Sequence, residues 1–437
     1  MSFALFIVLN GLVLIRPEDF LPEITGARLY LIVMSLCILT ALPKFAAQLS
    51  SRELALRPIS VCVIGLLIAT AVSNLVHGRF DYALDFVPDF AKVIVYFLLL
   101  CALVDTPRRL RIFLGWQLAF VTVLAVIAVL EFHEYLQLAA VKPLLEGYPD
   151  PATGAMIMES RMCSAGIFND PNDLCLILVF GIMCSLYHAS VAVEWLVSAL
   201  WAMPSVLFVY SLILTRSRGG LLGCLAAVGT LIWCKYGWKR ALPLLVLGLP
   251  AVVLAIGGRQ SDIEVGGGTG HERIMFWAAG FGKIASSPLM TLFGIGAGQH
   301  EDVIHGSAHN SFVHAYVELG LLGGTFFLGA FATAVWLLVR LGQAAPTKLP
   351  RELGAAWPFV VAMVVGYGCG IYSLSRNYIV PTYLCLGVAT TFLSMAMPNP
   401  PRSARVSKLW LMRLAAVGVA GLLFLKFFTQ FAGGLGV

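Results

Sequence analysis

The sequence predicts an all-α fold, that of a polytopic integral membrane protein with roughly 12–13 transmembrane helices. Hydrophobic residues occupy 59% of the 437 positions and charged residues only 12%. Charged residues are thus about half as frequent as in a soluble domain. A soluble fold of this length cannot bury so much apolar surface, whereas a bilayer can. The apolar runs are long and unbroken, which indicates helices rather than a transmembrane β-barrel.

The predicted spans follow one another along the whole chain, so we expect a single integral membrane domain over residues 1–437. The count is 12 if only one terminal segment crosses the membrane and 13 if both do. The candidate segments lie at roughly 2–15, 28–46, 58–76, 86–104, 112–131, 173–190, 194–214, 218–236, 241–257, 312–339, 355–375, 379–398 and 410–429.

Basic residues cluster in every second loop, which predicts that these loops are cytoplasmic and that the N-terminus lies inside. The short loop 187–193 has no Lys or Arg and is the weak point of this alternation. The two long connections, at about 132–172 and 258–311, then fall on the opposite side. The clusters are Lys44, Arg52 and Arg57; Arg108, Arg109 and Arg111; Lys235, Lys239 and Arg240; Arg340, Lys348 and Arg351; Arg402, Arg405 and Lys408.

The second long connection, 258–311, is predicted to contain a short amphipathic helix. Thr269 and Glu272 have the spacing of a capping box, which opens a helix. Apolar residues follow at helical periodicity, so one face of this helix is apolar. They are Ile274, Trp277, Ala278, Phe281, Ile284 and Ala285.

Composition also limits the partners and cofactors. The ten cysteines mostly lie in apolar runs without paired spacing, so we interpret them as small buried hydrophobic residues rather than disulfide or metal ligands. The net charge of +6 needs no nucleic-acid partner to explain it. We expect no cleavable signal peptide, because the first apolar run (3–15) lacks a basic leader and a small-residue cleavage site.

Arginines recur at the predicted outer membrane face, where charge is costly unless it has a purpose. They are Arg161, Arg216, Arg218, Arg273 and Arg376. Because guanidinium groups are planar, bidentate and always charged, several at one depth suit a phosphate-bearing ligand. The alternative for each is a surface ion pair or a side chain that extends to the membrane interface.

Arg218 is the arginine for which a binding role is favoured most. It stands in a very short turn between two predicted spans and is followed by Gly219 and Gly220. Glycine allows the backbone to approach either a ligand or a neighbouring helix closely.

A second group of polar residues lies in the segment AHNSFVHAYVELG, where the long loop meets a span. His309 and Asn310 stand at the junction, and His314 and Glu318 follow four residues apart on one helical face. A histidine at a water-accessible membrane edge is suited to act as a general base, and surrounding arginines favour its neutral form. The alternative is a structural hydrogen bond, which is also our interpretation of His271, His300 and His305.

Two other motifs are assigned structural roles. GIGAGQ (294–299) does not predict a nucleotide loop, because no strand precedes it and it lies in an outer loop. In NDPND (169–173), a helix start capped by Asp170 with Pro171 in the first turn explains the residues better than a calcium site. No Cys/His cluster has zinc spacing, so we predict no metal and no cofactor.

Three motifs together resemble the O-antigen ligase and polymerase superfamily. They are the turn SRGGLLG, the arginine-led helix ERIMFWAAG in the long outer loop, and HNSFVHAYVELGLLGG at the end of that loop. The stretch GIFNDPNDL is similar to a further pattern of the family, with Asp170 inserted before Pro171. The resemblance extends over about residues 160–330.

The resemblance implies a GT-C-like, lipid-linked glycosyltransferase in the bacterial inner (cytoplasmic) membrane, with its active site facing the periplasm. The donor would be a glycan on undecaprenyl pyrophosphate, and the acceptor of a ligase would be lipid A–core. His309 would be the essential histidine, and Arg161, Arg218 and Arg273 would bind the pyrophosphate. Arg216, Asn310, His314 and Glu318 would support them.

The implied chemistry agrees with the residue types. Pyrophosphate is already a good leaving group, so arginines can stabilise its developing charge without a metal. Direct attack at the anomeric carbon would invert its configuration. We favour a ligase because the second long loop is compact, with an O-antigen or exopolysaccharide polymerase and a protein O-oligosaccharyltransferase as alternatives. A transporter is a more distant alternative, because we find no internal repeat and the polar residues gather at one membrane face instead.

Overall fold

The structure is a computed structural model, and it describes residues 1–21, 23, 26–149, 156–243, 246–248, 269–344 and 349–434. Within these ranges, ten helices are long and apolar enough to cross a membrane. This confirms the predicted all-α, polytopic membrane fold. The helices are α2 (Leu29–Gln48), α4 (Pro58–Val76), α5 (Phe80–Leu103), α6 (Pro107–Phe132), α7 (Pro171–Val191), α8 (Trp195–Thr215), α9 (Arg218–Tyr236), α13 (Ser311–Ala344), α14 (Arg351–Gly370) and α16 (Lys408–Gly434).

Shorter α-helices and two strands lie before, between and after these long helices. The helices among them are α1 (Ser2–Ile15), α3 (Ser51–Leu56), α10 (Thr269–Ile284), α11 (Pro288–Phe293), α12 (His300–Ile304) and α15 (Val380–Ala396), and the strands are β1 (Leu144–Pro149) and β2 (Met156–Arg161). Two predicted spans are the short helices α1, of 14 residues, and α15, of 17 residues. Another, 241–257, lies mostly outside the described residues.

The first long connection contains a β-hairpin, which was not predicted from the sequence. β1 and β2 pair antiparallel, with Glu146 opposite Glu159 and Leu144 opposite Arg161. Since side chains alternate across a strand, these four share one face. Six-residue strands carry too little alternation to be recognised between long apolar spans.

The chain divides into two compact units, and the prediction of one membrane domain over 1–437 stays a prediction. The first unit comprises Met1–Leu42, Leu103–Asp262 and Pro346–Gly370. Its centre is α7, where 78% of the apolar window is buried. Asp170 caps this helix by accepting a hydrogen bond from the Asn172 amide, and Pro171 occupies its first turn. The helix start predicted from NDPND is therefore confirmed.

The second unit comprises Pro43–Ala102, Ile263–Ala345 and Ile371–Val437. Its central helix, α13, is interrupted at Gly320, whose backbone is non-helical. α4 and α16 pack against α13 at close glycine contacts. A Cβ on Gly65 would lie 2.7 Å from the Phe326 ring, and one on Gly418 would overlap Thr325.

The predicted amphipathic helix is confirmed as α10. Its apolar face packs within the second unit, where Trp277, Phe281 and Ile284 are buried together with Tyr316 and Val317 of α13. The predicted capping contact falls on Thr269, whose side chain lies outside the described residues. α10 therefore attaches the second long loop to the helix that follows it.

Candidate functional site

The predicted site residues are divided between the two units. Arg161, Arg216 and Arg218 belong to the first unit. The residues in the second unit are Arg273, His309, Asn310, His314 and Glu318.

In the first unit, the turn between α8 and α9 places Arg218 at a helix start. α8 ends at Thr215, and Arg216 follows with a left-handed backbone (φ 51°). Ser217 then caps α9, since its hydroxyl accepts a hydrogen bond from the Gly220 amide (3.1 Å). Arg218 is the first residue of α9 and is exposed. The cap thus fixes the start of α9, and an exposed arginine lies at the positive end of this helix.

The glycines after Arg218 serve helix packing. A Cβ on Gly220 would overlap the Cβ of Cys175 in α7, and one on Gly223 would lie 3.0 Å from the carbonyl oxygen of Gly366 in α14. Of the two explanations for these glycines, approach to a ligand or to a neighbouring helix, the structure supports the second. The packing holds the start of α9, and with it Arg218, against α7.

Arg161, on β2, has a protein partner for every nitrogen of its guanidinium. Its Nε donates to the Thr215 carbonyl (3.0 Å), Nη1 to the Glu146 carboxylate (3.0 Å) and Nη2 to the Asn172 side-chain oxygen (3.1 Å). The side chain is only 12% exposed. Arg161 therefore joins the β-hairpin to the ends of α7 and α8. Its predicted pyrophosphate contact stays untested.

The β-hairpin is fastened to the same turn by a second arginine. Arg216 forms an ion pair with Glu159, a buried residue of β2. In addition, the Met162 amide donates to the Leu214 carbonyl (3.1 Å). These contacts with the hairpin thus stabilise the turn that carries Arg218.

In the second unit, His309 is exposed and has a left-handed backbone (φ 43°). Its neighbours in sequence are held firmly. The Ala308 carbonyl accepts a hydrogen bond from the Trp277 indole of α10 (2.5 Å). On the other side, the side-chain oxygen of Asn310 accepts from the amides of Phe312 (3.0 Å) and Val313 (3.2 Å), which caps α13. An accessible imidazole thus sits on a restrained backbone.

Ser311 ties the start of α13 to the turn that follows α14. Its hydroxyl donates to the Leu374 carbonyl (2.6 Å) and accepts from the Arg376 amide (2.8 Å). Its carbonyl accepts from the side-chain amide of Asn377 (2.9 Å). Arg376, one of the predicted outer-face arginines, therefore belongs to a turn that is hydrogen-bonded two residues from His309.

His314 and Glu318 form the predicted pair along α13. The His314 Nε2 lies 3.1 Å from Glu318 Oε1, and Glu318 is 1% exposed. The carboxylate also accepts hydrogen bonds from the His300 amide (3.1 Å) and the Tyr378 hydroxyl (2.7 Å). The other ring nitrogen of His314 lies 3.2 Å from the Asn377 side-chain oxygen. The buried carboxylate of Glu318 thus connects α12, α13 and the 374–378 turn.

The 294–298 glycine loop packs where α13 is interrupted. The Ile295 and Gly296 amides donate to the carbonyls of Val317 and Glu318 (both 3.0 Å). The break at Gly320 frees these carbonyls, which an uninterrupted helix would pair internally. A Cβ on Gly294 would overlap the Glu318 carbonyl oxygen. These glycines thus permit backbone packing.

Residues 203–328 match the O-antigen ligase family model. The match confirms the resemblance drawn from the sequence motifs. It includes every predicted site residue except Arg161, which precedes it. No curated protein matches the chain.

Several residues that contact the matched segment, 203–328, were not predicted from the sequence. Arg79, just beyond α4, donates to the Ile295 carbonyl (2.7 Å), and the His77 ring contacts the Gly294 carbonyl (2.7 Å). Arg79 is a basic residue in a predicted outer loop, where the positive-inside rule expects few basic residues. This exception could have marked it as a candidate from the sequence. Asn377 and Tyr378 gave no such signal, because their partners on α13 are distant in sequence.

His300 was assigned a structural role from sequence, and it lies directly beside the His314–Glu318 pair. The two histidine rings pack edge to face, 5.2 Å between centroids. Burial, and then the neighbouring His314, lowers the pKa of His300 to about 4. Burial, and then the charge of Glu318, raises the pKa of the Tyr378 hydroxyl well above its usual value. Because its pKa is lowered to about 4, the His300 ring is uncharged at neutral pH.

The described residues contain no group of three or more His, Cys, Asp or Glu side chains placed to hold a metal ion. The predicted site residues within the matched segment, 203–328, are instead arginines, histidines, Asn310 and the buried Glu318. Arginines can bind anions and a histidine can accept a proton, so these residue types suit transfer from a phosphate-bearing donor.

Proposed function

We propose that this protein is an O-antigen ligase, which transfers a glycan from undecaprenyl pyrophosphate to lipid A–core. The family match supports an O-antigen ligase or polymerase type of function. The observation that carries the proposal is the setting of His309, an exposed imidazole on a backbone held by Trp277 and by the Asn310 cap. A general base needs such access together with fixed geometry.

In the proposed reaction, His309 takes the proton from the acceptor hydroxyl. The hydroxyl oxygen forms a bond to the anomeric carbon of the glycan, and the bond from that carbon to the pyrophosphate oxygen breaks. Undecaprenyl pyrophosphate leaves with the bonding electrons, and the anomeric configuration inverts. The start of α13 lies two residues beyond His309, and its positive dipole end favours the uncharged, proton-accepting imidazole.

We assign Arg218 and Arg273 to the donor pyrophosphate. Arg218 is exposed and Arg273 is half-buried, on α9 and α10 respectively. Their fixed charges would stabilise the negative charge that develops on the leaving group, without a metal ion. Arg161 is bonded through all its guanidinium nitrogens, so we propose that it acts by positioning the turn that carries Arg218.

The deciding experiment is a transfer assay with the purified full-length protein. Undecaprenyl-pyrophosphate glycan and lipid A–core are supplied together, with and without EDTA. A ligase joins the glycan to lipid A–core in both conditions. Growth of the glycan on its own donor would indicate the polymerase, and strict dependence on a divalent ion would contradict the arginine scheme. A protein that moves the donor across vesicles without forming a glycosidic bond would be a transporter.

The proposed location is the bacterial inner membrane, with His309 facing the periplasm. The alternation of basic loops supports this orientation. A cysteine placed at the exposed position of His305, in a variant without the native cysteines, should react with a membrane-impermeant maleimide in intact spheroplasts. A cysteine at exposed Arg52 should react only after lysis. The reverse pattern would refute the orientation.

A further inference from the structure

The side chains around His314 determine which protons its ring carries. One ring nitrogen faces the Glu318 carboxylate (3.1 Å) and the other faces the Asn377 side-chain oxygen (3.2 Å). The orientation of the Asn377 amide follows from its own bond, because its nitrogen donates to the Ser311 carbonyl (2.9 Å). Both ring nitrogens of His314 therefore meet acceptors. Only the doubly protonated ring donates at both positions.

The contacts of Glu318 favour its ionised form. Besides His314, its carboxylate meets the backbone amide of His300 (3.1 Å) and the hydroxyl of Tyr378 (2.7 Å). An amide can only donate, and a tyrosine hydroxyl that faces a carboxylate donates as well. The amide and the hydroxyl thus each give a hydrogen to the carboxylate, and among the described neighbours the group able to take a carboxyl proton is Nε2 of His314, which becomes an imidazolium when it does so. Three such bonds favour the charged form strongly.

We propose that His314 and Glu318 form a permanently charged imidazolium–carboxylate pair. This pair holds the backbone around His309 in position and sets the pH range in which His309 accepts a proton. The effect on His309 rests on the proposed function, whereas the charge state of the pair does not. Burial of a charged pair is costly unless its remaining hydrogen bonds are satisfied, and here they are.

The pair acts on His309 in two ways. Asn377 connects the imidazolium to Ser311, two residues after His309, so the pair restrains the backbone that carries the proposed base. The positive charge of His314 also disfavours a second positive charge nearby, while the negative charge of Glu318 opposes this effect. The other titratable groups that face the pair are His300 and Glu301 of α12 and Tyr378 of the 374–378 turn.

The charge state is tested directly on the wild-type protein. In purified full-length protein with ¹⁵N-labelled histidine, one ring of the eight histidines should keep both nitrogens protonated at pH 8. That signal should disappear in His314→Gln. If no imidazolium signal persists at pH 8, the proposal is overturned whatever the enzymatic activity. Because this measurement is made on the wild-type protein, it can contradict the proposal without substrate and without a folded variant.

The kinetic test measures kcat/KM for glycan transfer against pH. His314→Gln removes the positive charge and leaves Glu318, so the acid limb should move to higher pH by on the order of half a unit. The double variant His314→Gln/Glu318→Gln removes both charges, so its acid limb should return toward that of the wild type. Tyr378→Phe removes a hydrogen bond without a charge and serves as the control with no shift.

The outcomes separate the two proposals. Rates that fall in all three variants without movement of the acid limb would show a purely structural pair and overturn the tuning of His309. Absence of transfer by the wild-type protein would refute the proposed function, while the nitrogen signals would still decide the charge state.

Discussion

Arg161 and Ser217 donate hydrogen bonds to the same oxygen, the side-chain carbonyl of Asn172, at 3.1 and 2.6 Å. Ser217 is the cap of α9, and Arg218 is the first residue of that helix. A single amide at the start of α7 thus links the β-hairpin to the proposed phosphate-binding turn. Arg161 is largely buried within this network, whereas Arg218 is exposed at the start of α9.

Arg161→Met should destabilise the protein. The change removes three hydrogen bonds and leaves Glu146 without its ion-pair partner. The expected loss is about 1–3 kcal/mol in the free energy of unfolding. Asn172→Ala should cause a similar loss, and the two should not add fully, because they disrupt one network. Arg52→Met, at an exposed position, is the control. Full additivity of the two losses would argue against a shared network.

His309→Asn should reduce the transfer rate at least about a hundredfold, as removal of a general base does. Asparagine tolerates the left-handed backbone of this position, so thermal stability should be unchanged. His305 provides a matched control, since it is also an exposed histidine with positive φ (60°). His305→Asn should keep the wild-type rate. Equal activity of the two variants would remove His309 from the proposed mechanism.

Arg218→Ala should raise the KM for the lipid-linked donor by roughly tenfold or more, the cost of one charge-assisted hydrogen bond. Arg218→Lys should recover part of this loss, because lysine keeps the charge without the bidentate geometry. Arg340 packs over the Trp336 ring near the other end of α13 and serves as the control. Unchanged donor KM in Arg218→Ala would refute the phosphate role.

His300 should make stability depend on pH. Its pKa is lowered to about 4 in the folded protein, while an unfolded chain has the ordinary value of 6.5. The unfolded chain therefore binds more protons between these values, and stability falls as pH drops from about 6.5 towards 4. The loss is at most about 3 kcal/mol. In His300→Asn, which keeps a donor for the Gly306 carbonyl, the fall in melting temperature over this range should be smaller. An identical slope would contradict the prediction.

Gly220→Ala should destabilise the packing of α9 on α7. The new Cβ would overlap Cys175, so the helices must separate, at a cost of about 1–3 kcal/mol. Gly282→Ala is the matched control, because a Cβ there meets nothing within 4 Å and alanine favours the helix α10. Melting temperatures in one detergent should fall for the first variant and stay or rise for the second. Two unchanged values would refute the close contact.

Much of the fold was predictable because membrane spans are local features. An apolar run of span length predicts a helix regardless of its partners, and the start of α7 at Asp170 and Pro171 follows from neighbouring residues alone. The amphipathic helix α10 was predictable for the same reason. The β-hairpin was not, because its stability depends on pairing between strands and on Arg161 and Arg216 contacts with the end of α8.

The candidate site was predictable in part. Motif order identified His309 and Arg218, and spacing along one helix predicted that His314 and Glu318 would meet. Spacing did not reveal Asn377 and Tyr378, which lie about 60 residues further along the chain. It also assigned His300 a lone structural role, whereas the buried ring packs on His314.

The sequence by itself determined that this chain lies in a membrane, how its helices are ordered, and which residues resemble the O-antigen ligase family. Each of these rests on composition or on local spacing, which a chain carries before it folds. The tertiary structure alone decided which partners a charged group has, as in Arg161, and which side chains are exposed, as in His309. The reason is that the cost of a charge depends on its partners and its burial, and folding brings those partners from distant parts of the chain.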